Sequence, residues 1–149
     1  MIWGAISFKG PVHMEILNGV QNAQKYRDLL ATAKPVIEDV MEGGEWVFQQ
    51  DHAAIHTARL VQQWFREENI QVLEWPSNSP DLNIIENLWG WLSRNIYGGG
   101  RQYQNTEALL NAIREAWANI PQNFLNSLYR SLPNRIFEVI NKNGSHTHF

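Results

Sequence analysis

From Phe48 to Trp91 the apolar pattern changes period repeatedly, and no other stretch constrains the fold as much. The run Trp46-Val47-Phe48 reads as part of a strand over 46–50, buried on both faces, that gives way to polar residues at Asp51. From Thr57 the spacing turns helical, with Leu60, Val61, Trp64 and Phe65 as the buried stripe. Gln71 to Trp75 reads as a short strand closed by Pro76. Ser79 then predicts an N-cap, with Pro80 as the first helical residue. Strand, helix, strand and helix in that order imply helical crossovers within one sheet.

The flanking segments extend this plan. Ile2–Ser7 and the alternating Val12-His13-Met14-Glu15-Ile16 predict a hairpin about a turn at Lys9-Gly10-Pro11. Asn22 caps a helix carrying Tyr26, Leu29, Leu30, Ala33, Ile37, Val40 and Met41, which Pro35 should kink or split and Gly43-Gly44 should end. After Pro80 the expected stripe is Leu82, Ile85, Trp89, Leu92 and Ile96, stopped by Gly98-Gly99-Gly100. Thr106 caps a helix with Leu109, Leu110, Ile113, Trp117 and Ile120 inside. Pro121 opens another with Phe124, Leu125, Leu128 and Leu132. Pro133 should break it and leave a last short helix of Ile136, Phe137 and Ile140, ended by Gly144 and a frayed tail over 145–149. The expected class is α/β, a mixed sheet with flanking helices over 1–97 and a helical extension over 98–149.

Composition narrows the functional classes. A chain of 149 residues that is 44% apolar and 18% charged is an ordinary globular domain with a real core. It has no Cys, hence no disulfide framework and no thiolate metal site. No apolar run reaches membrane-spanning length, and Met1–Gly10 lacks the basic-then-apolar pattern of a signal peptide. A net charge of −3 argues against coating nucleic acid as the main task but permits DNA contact at a local site.

Two carboxylates carry the candidate chemistry. Asp51 stands at a strand end, and Glu86, separated from it by thirty-four residues, lies off the apolar stripe of its helix. Asn83, Asn87, Gly90, Ser93 and Arg94 share its face. Hard divalent cations take oxygen ligands, and a pair of them roughly 3.5–4 Å apart can serve the attacking and leaving oxygens of a phosphoryl transfer. By spacing alone a carboxylate pair is a weak signal: Asp51 can equally cap the next helix, and Glu86 can be a solvated side chain. His52 and His56 would share a helix face and could hold zinc, although an exposed or hydrogen-bonded role is the commoner one. Lys9, Arg59, Arg94 and Arg101 could meet phosphates; Trp89 and Trp91 read as core rather than as base-stacking platforms.

The blocks Phe48-Gln49-Gln50-Asp51-His52-Ala53-Ala54-Ile55-His56 and Trp75-Pro76-Ser77-Asn78-Ser79-Pro80-Asp81-Leu82-Asn83-Ile84-Ile85-Glu86-Asn87-Leu88-Trp89 resemble the catalytic domain of Tc/mariner-family DNA transposases. The spacing between Asp51 and Glu86, the Trp3-Gly4-Ala5-Ile6-Ser7 run and Pro133–Ile140 resemble that family too, so the likeness covers nearly the whole chain. His52 stands where the family often has Asn, and Ile84 where it often has Pro.

The resemblance implies an RNase H-like fold and a DDE/D-type two-metal mechanism with Mg²⁺ or Mn²⁺. Water cleaves DNA at the element ends, and the freed 3′-OH attacks target DNA. Asp51 and Glu86 are then two of three acidic ligands, while His52, His56, Asn83, Asn87 and Arg94 are candidate DNA contacts. The implied partners are transposon-end and target DNA and, in the full-length transposase, a second copy; the implied compartment is the nucleus, with no membrane.

In the family the first catalytic Asp lies on a strand before the Trp3 run. The expectation is therefore a C-terminal part lacking that Asp, its central strand and the N-terminal helix-turn-helix region. Such a part should be marginally stable, with little or no strand transfer alone and a two-metal site only in the complete domain. Two competing readings are a non-enzymatic, domesticated remnant that binds DNA or protein, and an unrelated RNase H-like nuclease drawing its third acid from Glu38, Asp39, Glu42 or Glu45.

Overall fold

The computed structural model describes residues 1–76 and 79–141. Ser77 and Asn78 of the Pro-flanked loop, Gly144, and the tail with His146 and His148 lie outside the described residues. The order is β1 (Ile2–Ser7), β2 (Gly10–Ile16), α1 (Ala23–Met41), α2 (Ala54–Thr57), α3 (Arg59–Glu67), α4 (Ile84–Tyr97), α5 (Thr106–Ala118) and α6 (Gln122–Asn141), with a short 3₁₀ turn at Gly98–Gly100. Two compact units result: Met1–Ala5 with Val12–Ser79, and Ile6–Pro11 with Pro80–Phe149.

In the first unit, α1 packs on α3 through Tyr26, Leu29, Leu30, Val61, Trp64 and Phe65, with Trp3, Leu17, Phe48, Ile55, Ile70 and Val72 against them. Burying each such large apolar side chain is worth about 1.5–3 kcal/mol. Asn22 caps α1 as expected, its side chain accepting from the Lys25 N–H. Pro35 does not split the helix. It sits on the exposed face, where the Ala31 carbonyl that loses its partner can turn to water. The helix ends one step before the expected glycines: Glu42 itself takes the left-handed conformation, φ 56°, and Gly43 follows at φ 70°.

The strands expected at 46–50 and 71–75 are reduced to one parallel bridge. Phe48 N–H donates to Gln71 O at 2.8 Å, and Leu73 N–H to Phe48 O at 2.8 Å. Nor is the first of them buried on both faces, since Val47 is exposed. Among the described residues the only sheet is the β1–β2 hairpin, so Phe48 gains no ladder beyond that bridge. The hairpin turn is Phe8-Lys9, and Gly10, at φ 144°, opens β2. The helix expected from Thr57 starts earlier as α2 and breaks at Ala58 (φ −55°, ψ 141°), which leaves Leu60 at the surface.

In the second unit, α4 packs on α5 and α6. Its buried ribbon is Ile84, Leu88, Leu92 and Ile96, with Ile85 and Trp89 at its margin. Ser79-Pro80 does not start this helix. Pro80 to Asn83 forms a turn closed by Asn83 N–H to Pro80 O at 3.1 Å, and Asn83 is the N-cap. For α5 the cap is Asn105, one residue before the expected Thr106, accepting from Ala108 N–H. Trp89 stacks on Trp117 and Trp91 on Phe124, ring centroids 6.1 and 5.7 Å apart, so both serve packing. Pro133 does not break α6, which runs through to Asn141; this proline too is exposed. The expected last short helix is therefore the second half of α6, and Ile136, Phe137 and Ile140 are exposed on it.

Gln122 Nε2 donates to Phe8 O at 2.8 Å, tying the hairpin tip to the start of α6. Buried Arg135 donates from Nη1 to Asp81 O at 2.7 Å and from Nε to Ser131 Oγ at 2.8 Å, clamping the turn before α4.

Candidate metal centre

Asp51 follows directly on the Phe48 bridge, and Phe48 is itself held by Phe65, ring centroids 5.4 Å apart. Its Oδ1 accepts two hydrogen bonds, from Ala53 N–H at 3.0 Å and from His56 Nδ1 at 2.5 Å. The first is a local side-chain-to-backbone turn of the kind Asp favours. It engages Ala53, the N-cap residue of α2, rather than an amide of the helix's first turn, so Asp51 is not an ordinary cap. The second fixes the tautomer, because a carboxylate oxygen can only accept and Nδ1 must carry the proton.

The His56 ring is mostly covered, whereas Asp51 is about half exposed, 54% at the side chain. The ring lies 4.2 Å from that of Tyr26 at 31°. Tyr26 Oη–H donates to Gln50 Oε1 at 2.8 Å, and Gln50 Nε2 and Gln62 Nε2 both donate to the His56 carbonyl, at 3.2 and 3.1 Å. Burial pushes the Tyr26 phenol well above its ordinary range; the Trp3 side chain opposes that rise and the Asp51 charge adds to it. The phenol therefore stays a neutral donor.

Glu86 lies in the first turn of α4, in the second unit, on the side away from the buried ribbon. Its carboxylate is exposed and has no hydrogen-bond or ion-pair partner among the described residues. An acid in the first turn is also where the helix dipole stabilises negative charge. The expectation that Glu86 stands off the apolar stripe holds. Asn83 does not belong with the polar face: it is buried, because the turn at 80–83 folds it inward. Asn87 is partly exposed and Arg94 exposed; a Cβ added at Gly90 would meet the Arg94 guanidinium at 3.4 Å, so that side chain folds back along the helix.

His52 is exposed and precedes α2, so it does not share a helix face with His56, and the zinc pairing fails. The residues brought together are thus Asp51 and His56, with Tyr26, Gln50 and Gln62 behind them. Sequence reasoning missed that support, although the polar pair Gln49-Gln50 at the end of an apolar run was a signal. Glu38 is engaged by Lys34 at 2.7 Å, and Glu42 ends α1 through its backbone. Among the described residues no three His, Asp or Glu are grouped closely enough to hold a metal.

The Asp51 and Glu86 carboxylates suit a hard cation. Asp51 keeps Oδ2 outside its two hydrogen bonds, and Glu86 keeps both oxygens.

Residues 1–110 match the DDE superfamily endonucleases, and the chain belongs to that family. The relatives it resembles within that family are transposases of transposable elements. The chain is 35% identical over 145 residues, 97% of its length, to the transposable element Tc3 transposase of Caenorhabditis elegans, of which it covers 44%. It spans about half the length of the curated relatives it matches. Its fold is that of the Mos1 transposase catalytic domain solved with raltegravir and Mg. The TM-score there is 0.88 at 21% identity, covering 99% of this chain and 76% of that one. The Mos1 transposase paired-end complex with left transposon end matches at TM-score 0.88 and 21% identity, over 97% of this chain and 44% of that one. The mixed, RNase H-like class expected from the sequence is thereby the observed one.

Proposed function

We propose that this chain contributes two carboxylate ligands, Asp51 and Glu86, to a divalent-metal site that cleaves DNA and joins the freed end to a target. The observation that carries the reading is the Asp51 carboxylate itself: it lies within the matched span, is anchored at one oxygen by Ala53 and His56, and is open at the other. Bound Mg²⁺ or Mn²⁺ would supply Lewis-acid stabilisation of the attacking and leaving oxygens of a phosphodiester. Asp51 offers a fixed oxygen ligand, and Glu86 an unpaired one in the first turn of a rigid helix. That relatives have been solved with Mg and with transposon-end DNA supports this choice of metal and partner. Exposed His52, half-covered Asn87 and exposed Arg94 are the candidate DNA contacts; His56 is committed to Asp51 and Asn83 is buried. The working protein acts as a dimer on transposon ends and target in the nucleus.

The family pattern takes three acids and this sequence offers two at matching positions. We therefore propose weak or no DNA cleavage by the chain alone. Two measurements test the reading. Mn²⁺ binding should be lost or strongly weakened in Asp51→Asn and in Glu86→Gln; unchanged binding in either removes that residue as a ligand. Robust Mn²⁺-dependent cutting of element-end DNA by the isolated chain would contradict the two-acid count.

A further inference from the structure

We propose that His56 is a positioning residue that makes Asp51 a one-oxygen ligand, with Oδ2 as the coordinating atom. The inference rests on the metal reading above and deepens it. A carboxylate oxygen has two in-plane acceptor sites, and at Oδ1 both are taken, by Ala53 N–H at 3.0 Å and His56 Nδ1–H at 2.5 Å. A cation approaching Oδ1 would have to displace one of them. Oδ2 has neither donor, so it is the oxygen that can enter a coordination sphere without breaking a bond already made.

An exposed carboxylate–histidine pair is by itself worth little and reorients freely. This one is over-determined. The imidazole is pressed against Tyr26, which is only 3% exposed and belongs to the core of the first unit. The backbone of His56 is held at its carbonyl by two amides, from Gln50 and Gln62. Gln50 is held in turn by the Tyr26 hydroxyl. The ring therefore cannot swing off Asp51 without disturbing the packing of α1. Hydrogen-bonded partners that orient a metal ligand are worth typically 10–100-fold in metal affinity, and here the orienting group is built before any cation arrives.

The test uses the whole chain and Mn²⁺ alone, followed by water-proton relaxation, with wild type, Asp51→Asn, His56→Phe and His56→Asn. Phenylalanine keeps the ring against Tyr26 and deletes the donor; asparagine deletes the ring and places an amide N–H near the position of Nδ1. The expected pattern is roughly 10–100-fold weaker Mn²⁺ binding for His56→Phe and about threefold or less for His56→Asn. In the metal-free protein, long-range ¹⁵N–¹H spectra should show His56 as the Nδ1–H tautomer.

Wild-type affinity in His56→Phe, equal losses in both His56 variants, or an Nε2–H tautomer would each overturn the positioning role while leaving Asp51 as a ligand. Undetectable Mn²⁺ binding by wild type, or wild-type binding by Asp51→Asn, would instead sink the metal reading, and the positioning role with it. Should the phenylalanine variant fail to fold, the asparagine variant and the tautomer decide.

Discussion

Replacing Arg135 by methionine tests how the helix that carries Glu86 is held in place. The residue is 3% exposed, and its guanidinium makes charge-assisted hydrogen bonds to Asp81 O at 2.7 Å and Ser131 Oγ at 2.8 Å. Burial disfavours the cation and lowers its pKa from the ordinary value, and the Asp81 charge opposes that shift in part. A hydrogen bond to a charged group is worth about 1.5–3 kcal/mol. Methionine keeps most of the apolar stem and removes the cost of burying a charge, which offsets part of the loss. Ser131 Oγ retains a bond to Leu128 O at 2.6 Å, so the loss falls on the contact with Asp81 O. The expected net cost is about 2–3 kcal/mol for Arg135→Met, and about 1 kcal/mol less for Arg135→Lys, which can keep a single donor.

Urea unfolding followed through Trp89, Trp91 and Trp117 gives the magnitude, and an unchanged slope would show that the unfolded state is not what moved. Amide exchange gives the place: the N–H groups of Asn83 and Glu86, which close the turn and the first helical step, should lose protection first. A cost below about 0.5 kcal/mol, the usual range for an inconsequential surface change, would refute the clamp. So would a loss of protection spread evenly over α4.

Three further outcomes follow from the same coordinates. Leu88→Ala removes a fully buried side chain from the α4 ribbon and should cost about 3–4 kcal/mol, read by chemical denaturation. Asn22→Ala and Asn105→Ala each delete a side-chain cap and should cost about 1 kcal/mol, whereas glycine at either site should cost only a few tenths. Burial raises the phenols of Tyr26 and Tyr129, the latter to about 12, from an ordinary value of 10.0. The folded state then binds more protons than the unfolded chain above that ordinary value, so stability is intact below about pH 10 and falls as pH rises. Urea midpoints from pH 8 to 11.5 should show the decline, and Tyr129→Phe should flatten it in the second unit.

Helices and caps were largely legible because their signals are local: Asn22 capped α1, and Gly98-Gly99-Gly100 stopped α4. The errors came where packing or solvent overrules a local rule. Pro35 was expected to kink or split its helix and Pro133 to break one, yet neither interrupts it, and both sit on exposed faces where water can satisfy the orphaned carbonyl. Ser79-Pro80 carries every mark of a helix start, but Arg135, far along the chain, holds the neighbouring Asp81 carbonyl in a turn. Asp51 stood out in the sequence as a candidate ligand. Its bond to His56 was not, because five residues of separation bring two side chains together only through the particular break between Asp51 and α2. Strand assignments at 46–50 and 71–75 failed for a related reason: an apolar run shows that a segment can pair, not how many neighbours it finds.

The ribbon Ile84-Leu88-Leu92-Ile96 has one corollary. Glu86 falls two positions from Ile84 and two from Leu88, about 160° around the helix from each. Mutation at 86 thus leaves the buried ribbon untouched and costs at most the helix-dipole contribution of about 0.3–1 kcal/mol, so that packing and the proposed metal role read different letters of the same helix. On the proposed metal reading, loss of this acid would remove a ligand and leave the globule folded.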